Sequence, residues 1–237
     1  MKAAVIVFPG SNCDMDVERA IKESLKIKVD MVWHEKETFD GQPDLVVLPG
    51  GFSYGDYLRS GAMAARSPII KAVREHADRG GLLLGICNGF QILTETKMLP
   101  GALLPNASLT FICRKCYVRV EQTDNKFTSG LKKKEVLQFP IAHHEGLFFL
   151  PNDELKKLED SGRVVFRYAD LETGNAGVEF APNGALNGIA GICNEKGNVL
   201  GLMPHPERAT IAHLNGGTDG NRFWDSIART FRERGVC

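Results

Sequence analysis

The sequence predicts an α/β protein: a mostly parallel sheet with helices on both faces and a strand-rich second half, organised as a single domain over residues 1–237. Three observations carry this prediction. Short runs such as Leu45-Val46-Val47-Leu48 are apolar throughout, as strands buried on both faces are. Between such runs lie apolar stripes at helical spacing. After Leu99-Pro100-Gly101 the helical stripes thin out and strand-like segments follow one another directly.

In chain order, Ala3 to Phe8 is a continuous apolar run and reads as the first strand. Val17, Ala20, Ile21 and Leu25 share one face of the helix that follows. Val29, Met31 and Trp33 alternate as a second strand, and Leu45 to Leu48 is a third, stopped by Pro49-Gly50-Gly51. A second helix is marked by Ile69, Ile70, Val73 and Ala77, and Leu82 to Ile86 is a further buried strand running into another helical pattern. In the second half, Leu109 to Ile112, Tyr117 to Val120, Val136 to Ile141, Phe148 to Leu150, Val164 to Tyr168, Gly188 to Cys193 and Val199 to Met203 read as strands. Asp153 to Glu159 is a short helix between them, and Phe223, Trp224, Ile227, Ala228 and Phe231 mark a closing one. Lys132-Lys133-Lys134 is a solvated turn, and Glu172 to Leu186, rich in Gly and Asn, reads as a long irregular loop.

Composition narrows the class. Hydrophobic residues are 43% and charged residues 24%, the balance of a soluble globule, so a disordered chain or a disulfide mini-scaffold is a poor reading. Lys plus Arg and Asp plus Glu both number 29, which removes the footprint of a dedicated nucleic-acid binder. No apolar run approaches the ~20 residues of a membrane-spanning helix, and Met1-Lys2-Ala3-Ala4-Val5 lacks the pattern of a secretory signal, so a cytoplasmic location is expected. Six dispersed cysteines, with Cys87, Cys113 and Cys193 inside apolar runs, suggest reduced thiols. Cys113-Arg114-Lys115-Cys116 has zinc-knuckle spacing, but only His143 and His144 stand near enough in sequence to complete it, so no metal is expected there.

The segment most suited to chemistry is Gly85-Ile86-Cys87-Asn88-Gly89-Phe90-Gln91, where a buried strand passes directly into a helix through a cysteine between small residues. Such an elbow exposes its central side chain, and the free N–H groups of the new helix favour a thiolate, the reactive form of a group normally near pKa ~8.5. The competing reading, a structural buried cysteine, suits Cys193 better. A thiolate needs a proton shuttle, and Pro204-His205-Pro206-Glu207 follows the strand ending at Met203. Pro206 holds His205 extended, so Glu207, two residues on, shares its face and can orient the imidazole. His143-His144-Glu145 could imitate this pairing, whereas His34, His76 and His213 lie in surface-compatible contexts. Gly50 and Gly51 end another strand and let a backbone N–H turn toward the crevice; with the Asn88 N–H this makes a two-donor oxyanion hole, each donor worth ~3 kcal/mol.

These three segments, in this order and with this GxCxGxQ spacing, resemble the class I glutamine amidotransferases along essentially the whole chain. Within them, Gly50 to Arg59, Phe111 to Arg114, and His143 with Glu145-Gly146 are similar to glutaminase subunits of phosphoribosylformylglycinamidine synthase. The resemblance implies a flavodoxin-like fold and a specific chemistry. Cys87 attacks the side-chain amide of glutamine and forms a thioester; Gly51 and Asn88 hold the oxyanion; His205, oriented by Glu207, protonates ammonia and then activates water; Gln91 positions glutamine. It also implies a large synthetase subunit that consumes ATP, with Mg, and formylglycinamide ribonucleotide, in some organisms with a small accessory subunit. No GxxxxGK[ST] loop is present, so no cofactor is expected in this chain itself. Phe52, Tyr54, Tyr57 and Arg59 are candidate partner contacts, with loop packing as the alternative. Weak activity without the partner is expected. The rivals are an amidotransferase for another acceptor, a stand-alone cysteine hydrolase such as a γ-glutamyl hydrolase, and a non-enzymatic module of the same fold.

Overall fold

Strands β1 (Lys2–Val7), β2 (Lys28–Trp33), β3 (Leu45–Leu48) and β4 (Leu82–Ile86) are parallel, in the order β2-β1-β3-β4; helices connect β1 to β2 and β3 to β4, and a helix-free loop connects β2 to β3. The structure is a computed structural model, and residues 1–212 and 217–233 are described. The sheet continues from β4 to β11 (Val199–Leu202), again parallel, and then through β10 (Ile189–Cys193), β9 (Val164–Tyr168), β6 (Ile112–Val120) and β7 (Val136–His143), all antiparallel. One nine-stranded sheet therefore unites both textures read from the sequence. Its central strands β3, β4, β10 and β11 are buried at every residue, which is why their sequences do not alternate. A small second sheet pairs β5 (Ala102–Leu104) with β8 (Leu147–Phe149).

Helix α1 (Asp14–Ser24) buries Val17, Ala20 and Ile21, as its stripe requires, and packs against the last described helix, α5 (Asp219–Glu233). Helix α2 (Ile69–Asp78) buries Ile69, Ile70, Val73 and Ala77. Helix α3 (Asn88–Glu95) lies across β3, β4 and β11, and nearly its whole surface is buried. Helix α4 (Asn152–Asp160) is amphipathic, with Leu155 and Leu158 inward.

Several expectations change. Leu109 to Ile112 is not a separate strand: Leu109 has φ 54°, outside the strand region, and Ile112 opens the single long β6 that also contains Tyr117 to Val120. β5 was too short and too close to Pro100 and Pro105 to give a periodic signal. In β2 the buried residue is Val32 rather than the predicted Val29, Met31 and Trp33 face. Cys113 is exposed on β6 while Cys116 is buried; three residues apart on a strand, they face opposite sides and cannot share an ion. His34 and His76 are buried rather than superficial: His34 Nδ1 meets the Tyr54 hydroxyl at 2.8 Å, and His76 Nε2 lies 2.9 Å from the Leu82 carbonyl oxygen. His213 lies outside the described residues.

Candidate active site

The site forms where β4 and β11 end side by side. Ile86 pairs with Leu202, and the ladder extends one step further because Cys87 N–H donates to the Leu202 carbonyl at 2.8 Å. Cys87 therefore emerges beside Met203 to His205, although 118 positions of sequence separate residues 87 and 205. Cys87 itself has φ 51° and ψ −105°, a conformation a non-glycine residue adopts only when its surroundings enforce it. The enforcement comes from both sides: the strand ladder holds its N–H, and its carbonyl accepts from Phe90 and Gln91 in the first turn of α3.

The glycines around Cys87 are steric necessities. A Cβ on Gly89 would fall on the Leu48 carbonyl, and one on Gly85 would lie 2.5 Å from Leu93 Cδ1 and 2.7 Å from the Gly89 carbonyl oxygen. Their absence lets α3 press onto β3 and β4, so the helix N-terminus opens directly at the sulfur.

His205 and Glu207 are fully enclosed, and His205 Nδ1–H donates to Glu207 Oε1 at 2.6 Å. The geometry differs from the extended pairing expected: Pro206–Arg208 is a short 3₁₀ turn, and the turn rather than strand alternation brings the carboxylate under the ring. The backbone is fixed by His205 N–H donating to the Pro140 carbonyl at 2.9 Å. β7 is an edge strand, where a proline is tolerated. Burial alone would lower the imidazole pKa, but the Glu207 carboxylate, the Cys87 sulfur and hydrogen-bonding contacts from the Cys87 and Cys13 thiols outweigh it and hold the pKa well above the ordinary value. Nε2 of His205 is buried and has no hydrogen-bond partner, leaving it open to the nucleophile and to an incoming substrate.

Gly50 and Gly51 close the third side. A Cβ on Gly50 would lie 2.6 Å from His205 Cε1 and 3.1 Å from Cys13 Sγ. Gly51 takes φ 145° and bridges to Ser11, with a Cβ there meeting Asn12 N at 2.8 Å. Asn88 opens α3, so its N–H has no acceptor within the helix. Its side chain is engaged: Oδ1 accepts from Ser53 N–H at 3.3 Å and Nδ2 donates to Gln91 Oε1 at 2.9 Å. Gln91 in turn donates to the Glu145 carbonyl at 2.6 Å. The structure thus brings all seven residues singled out in the sequence, Gly50, Gly51, Cys87, Asn88, Gln91, His205 and Glu207, to one end of the sheet.

Cys13 and Asn106 escaped the sequence reading, and Asp56 and Glu145 stood in it only within quoted segments, with no assigned role at the site. Cys13, buried at the start of α1, meets His205; its position just past β1, at the carboxyl ends of the strands, was the available signal. Asp56 is pushed up to about pKa 6, chiefly by burial and then by the nearby Glu145 charge. Glu145 Oε2 accepts from Ser60 N–H at 3.2 Å. Asn106 is wholly buried and fixes the His143 loop: its side chain accepts from His143 Nδ1 at 3.0 Å and Gly146 N–H at 3.1 Å, and donates to the Thr110 and His143 carbonyls. His143 is therefore structural and neutral, its pKa lowered to about 4 by burial and by the charge of His205.

The family model for CobB/CobQ-like glutamine amidotransferase domains matches residues 1–228. The phosphoribosylformylglycinamidine synthase subunit PurQ of Koribacter versatilis is 52% identical over 234 residues, covering 99% of this chain and 100% of the relative; that of Aquifex aeolicus is 50% identical over 227 residues, covering 96% and 99%. The chain belongs to the PurQ family of glutamine amidotransferases. In three dimensions this PurQ family member matches a chain in a solved structure of PurLQS from Thermotoga maritima with a TM-score of 0.83 and 43% identity, over 96% of this chain and 97% of that one.

Exposed apolar side chains border the PurQ-family site. Phe52, Tyr57, Leu58, Leu109 and Phe111 are exposed, with the rings of Phe52 and Phe111 6.3 Å apart. The proposed contact residues divide: Tyr54 turns inward to His34 and Ser67, and Arg59 is bound by Glu95 through two hydrogen bonds of 2.8 and 2.6 Å. Phe52 and Tyr57 remain outward. Among the described residues no helix is long and apolar enough to cross a membrane.

Proposed function

We propose that this chain hydrolyses glutamine to glutamate and ammonia and delivers the ammonia to a synthetase subunit that makes phosphoribosylformylglycinamidine from formylglycinamide ribonucleotide and ATP. The observation that carries this reading is the meeting of Cys87, held at a strained elbow, with the buried His205–Glu207 pair. The Cys87 sulfur attacks the side-chain amide carbon; the N–H groups of Gly51 and Asn88 receive the oxyanion; His205 donates its proton to the departing ammonia. Water then enters, His205 removes its proton, and hydroxide attack releases glutamate from the sulfur. Glu207 stabilises the imidazolium that forms twice in the cycle. Gln91, fixed by Asn88 and Glu145, lines the glutamine position, and the Asp56 and Glu145 carboxyls suit its α-ammonium end.

The chain works in the cytoplasm without a cofactor of its own; ATP and Mg belong to the synthetase. The PurQ relatives and the PurLQS structure support a large synthetase partner together with a small accessory subunit. The exposed patch at Phe52, Tyr57, Leu58 and Phe111 borders the site and suits the aromatic, apolar character of a subunit interface. Ammonia release from glutamine, measured for wild type and Cys87→Ala with and without the synthetase, tests the reading. Weak release by the chain alone, strong release in the complex and none from Cys87→Ala are expected. Equal release by Cys87→Ala refutes the nucleophile, and full activity without the synthetase refutes the coupling.

A further inference from the structure

We propose that Cys13, His205 and Glu207 form a binding site for a soft divalent cation of the zinc class, and that the bound ion silences the Cys87–His205 pair reversibly. One ligand atom from each of the three residues lies within 4.8 Å of the other two, and all three residues are buried. Their closeness does not depend on one long flexible side chain. Cys13 is anchored by its own N–H, which donates to the Gly50 carbonyl at 3.3 Å, and His205 by the Pro140 carbonyl. A side chain on Gly50 would collide with both groups, so its absence is what lets the thiol and the imidazole approach.

A second observation points to a cation as ligand. Glu207 Oε2 is buried and has no hydrogen-bond donor, although its other oxygen is held by His205. A buried carboxylate oxygen without a donor is costly, and an ion supplies what the protein does not. Thiolate, imidazole and carboxylate together are a zinc-type donor set; sulfur and nitrogen disfavour Mg, which prefers oxygen and water. Charge also balances: thiolate and carboxylate carry two negative charges against a dication, with neutral imidazole as third ligand. Binding releases the Cys13 proton and the proton on the coordinating ring nitrogen. Ligand atoms around one tetrahedral ion lie ~3.5 Å apart at bond lengths of ~2.0–2.3 Å, a separation inside the 4.8 Å that already spans the three side chains. Arg208 opposes the ion, but its guanidinium is engaged by Asp16 at 3.2 Å. An imidazole bonded to the ion can no longer exchange protons with Cys87 or water, so the same event that fills the site stops catalysis.

The inhibition arm rests on the glutaminase reading; the spectroscopic arm does not. The full-length chain carrying Cys87→Ala is titrated with Co²⁺ in the absence of competing thiols. A near-ultraviolet thiolate-to-cobalt charge-transfer band is expected, lost when Cys13→Ser is added and unchanged when exposed Cys113→Ser is added instead. In parallel, glutaminase activity of the complex is titrated with buffered Zn²⁺, each variant normalised to its own metal-free rate. Cys13→Ser and Cys13→Ala are each expected to raise the half-inhibitory Zn²⁺ concentration at least about tenfold, the scale on which even outer-shell partners alter metal affinity. Mg²⁺ gives no inhibition, and a chelator restores the rate. Absence of the band in Cys87→Ala, its persistence after Cys13→Ser, or undiminished Zn²⁺ sensitivity of both Cys13 variants overturns the proposal. If glutamine is not hydrolysed at all, the cobalt band still decides the site.

Discussion

Replacing Gly89 by Ala isolates the contact that places the nucleophile. The backbone there is helical, so on propensity alone alanine would stabilise α3 by about 1 kcal/mol. The structure reverses that sign. The added Cβ would fall on the Leu48 carbonyl, with Leu48 C at 2.7 Å and Leu48 Cβ at 2.9 Å, against ~3.5–4.0 Å for comfortable carbon contacts. The first turn of α3 must therefore retreat from β3 by about 1 Å. Overpacking of this kind costs about 1–3 kcal/mol, so after the propensity gain a net loss of up to about 2 kcal/mol is expected in urea unfolding. The functional loss is larger. Cys87 and the Asn88 N–H ride on that turn, and a displacement of about 1 Å in a reacting constellation costs on the order of 10²-fold in rate. Ammonia release by the intact complex should thus fall about a hundredfold in kcat/KM while the protein remains folded. A variant that is stabilised, or that keeps its rate within threefold of wild type, would show that the helix does not bear on β3 in this way.

Other perturbations separate the remaining groups. Glu207→Gln keeps the shape of the residue but removes the charge that holds the His205 pKa up; a fall of ~10²–10⁴ in kcat is expected, with the imidazole limb of the pH–rate profile moving to lower pH. His143, with its folded pKa near 4 against 6.5 when unfolded, binds fewer protons in the native state, so it contributes nothing to pH dependence above 6.5 and costs stability as pH falls from 6.5 to 4, reaching about 3 kcal/mol. Asp56, raised to about 6, acts oppositely and is present in both proteins, so the difference in unfolding free energy between wild type and His143→Gln measured at pH 7 and pH 4.5 isolates the histidine; a pH-independent difference would contradict its neutral burial. Asn106→Ala removes the shared acceptor of His143 Nδ1 and Gly146 N–H and should destabilise the protein by about 2–4 kcal/mol in urea, with the Glu145 carbonyl, and hence Gln91, losing its place.

What could be read from the chain followed from burial. Strands such as Leu45–Leu48 and Leu82–Ile86, buried on both faces, declare themselves by unbroken apolar sequence, and α1 and α2 by the narrowness of their stripes. Cys87 was legible because an elbow needs small neighbours on both sides. Cys13, Asp56 and Asn106 were not, because nothing local distinguishes a polar residue in a turn from one that the fold seals against a partner far along the chain. Asn106 meets the His143 loop 37 positions away, and Asp56 owes its high pKa to surroundings that include Glu145. The short β5 and the displaced start of β6 failed for a related reason: the positive φ at Leu109 answers to the hydrogen bonds that Asn106 makes, not to residue preference.

The pairing of Ile86 with Leu202 has a further implication. Because Cys87 is held by the last rung of the β4–β11 ladder and His205, three residues past that rung, is pinned to the Pro140 carbonyl of β7, both ends of the pair are anchored to the same sheet, and a docking protein has little leverage over their spacing. Control by an assembly partner must instead work on what rims the crevice, above all the Phe52–Ser60 turn, whose backbone at Tyr54, Asp56 and Leu58 is wound with positive φ and whose apolar tips face outward. Such a division lets one rigid cleavage engine be coupled to different acceptors by redrawing loops alone.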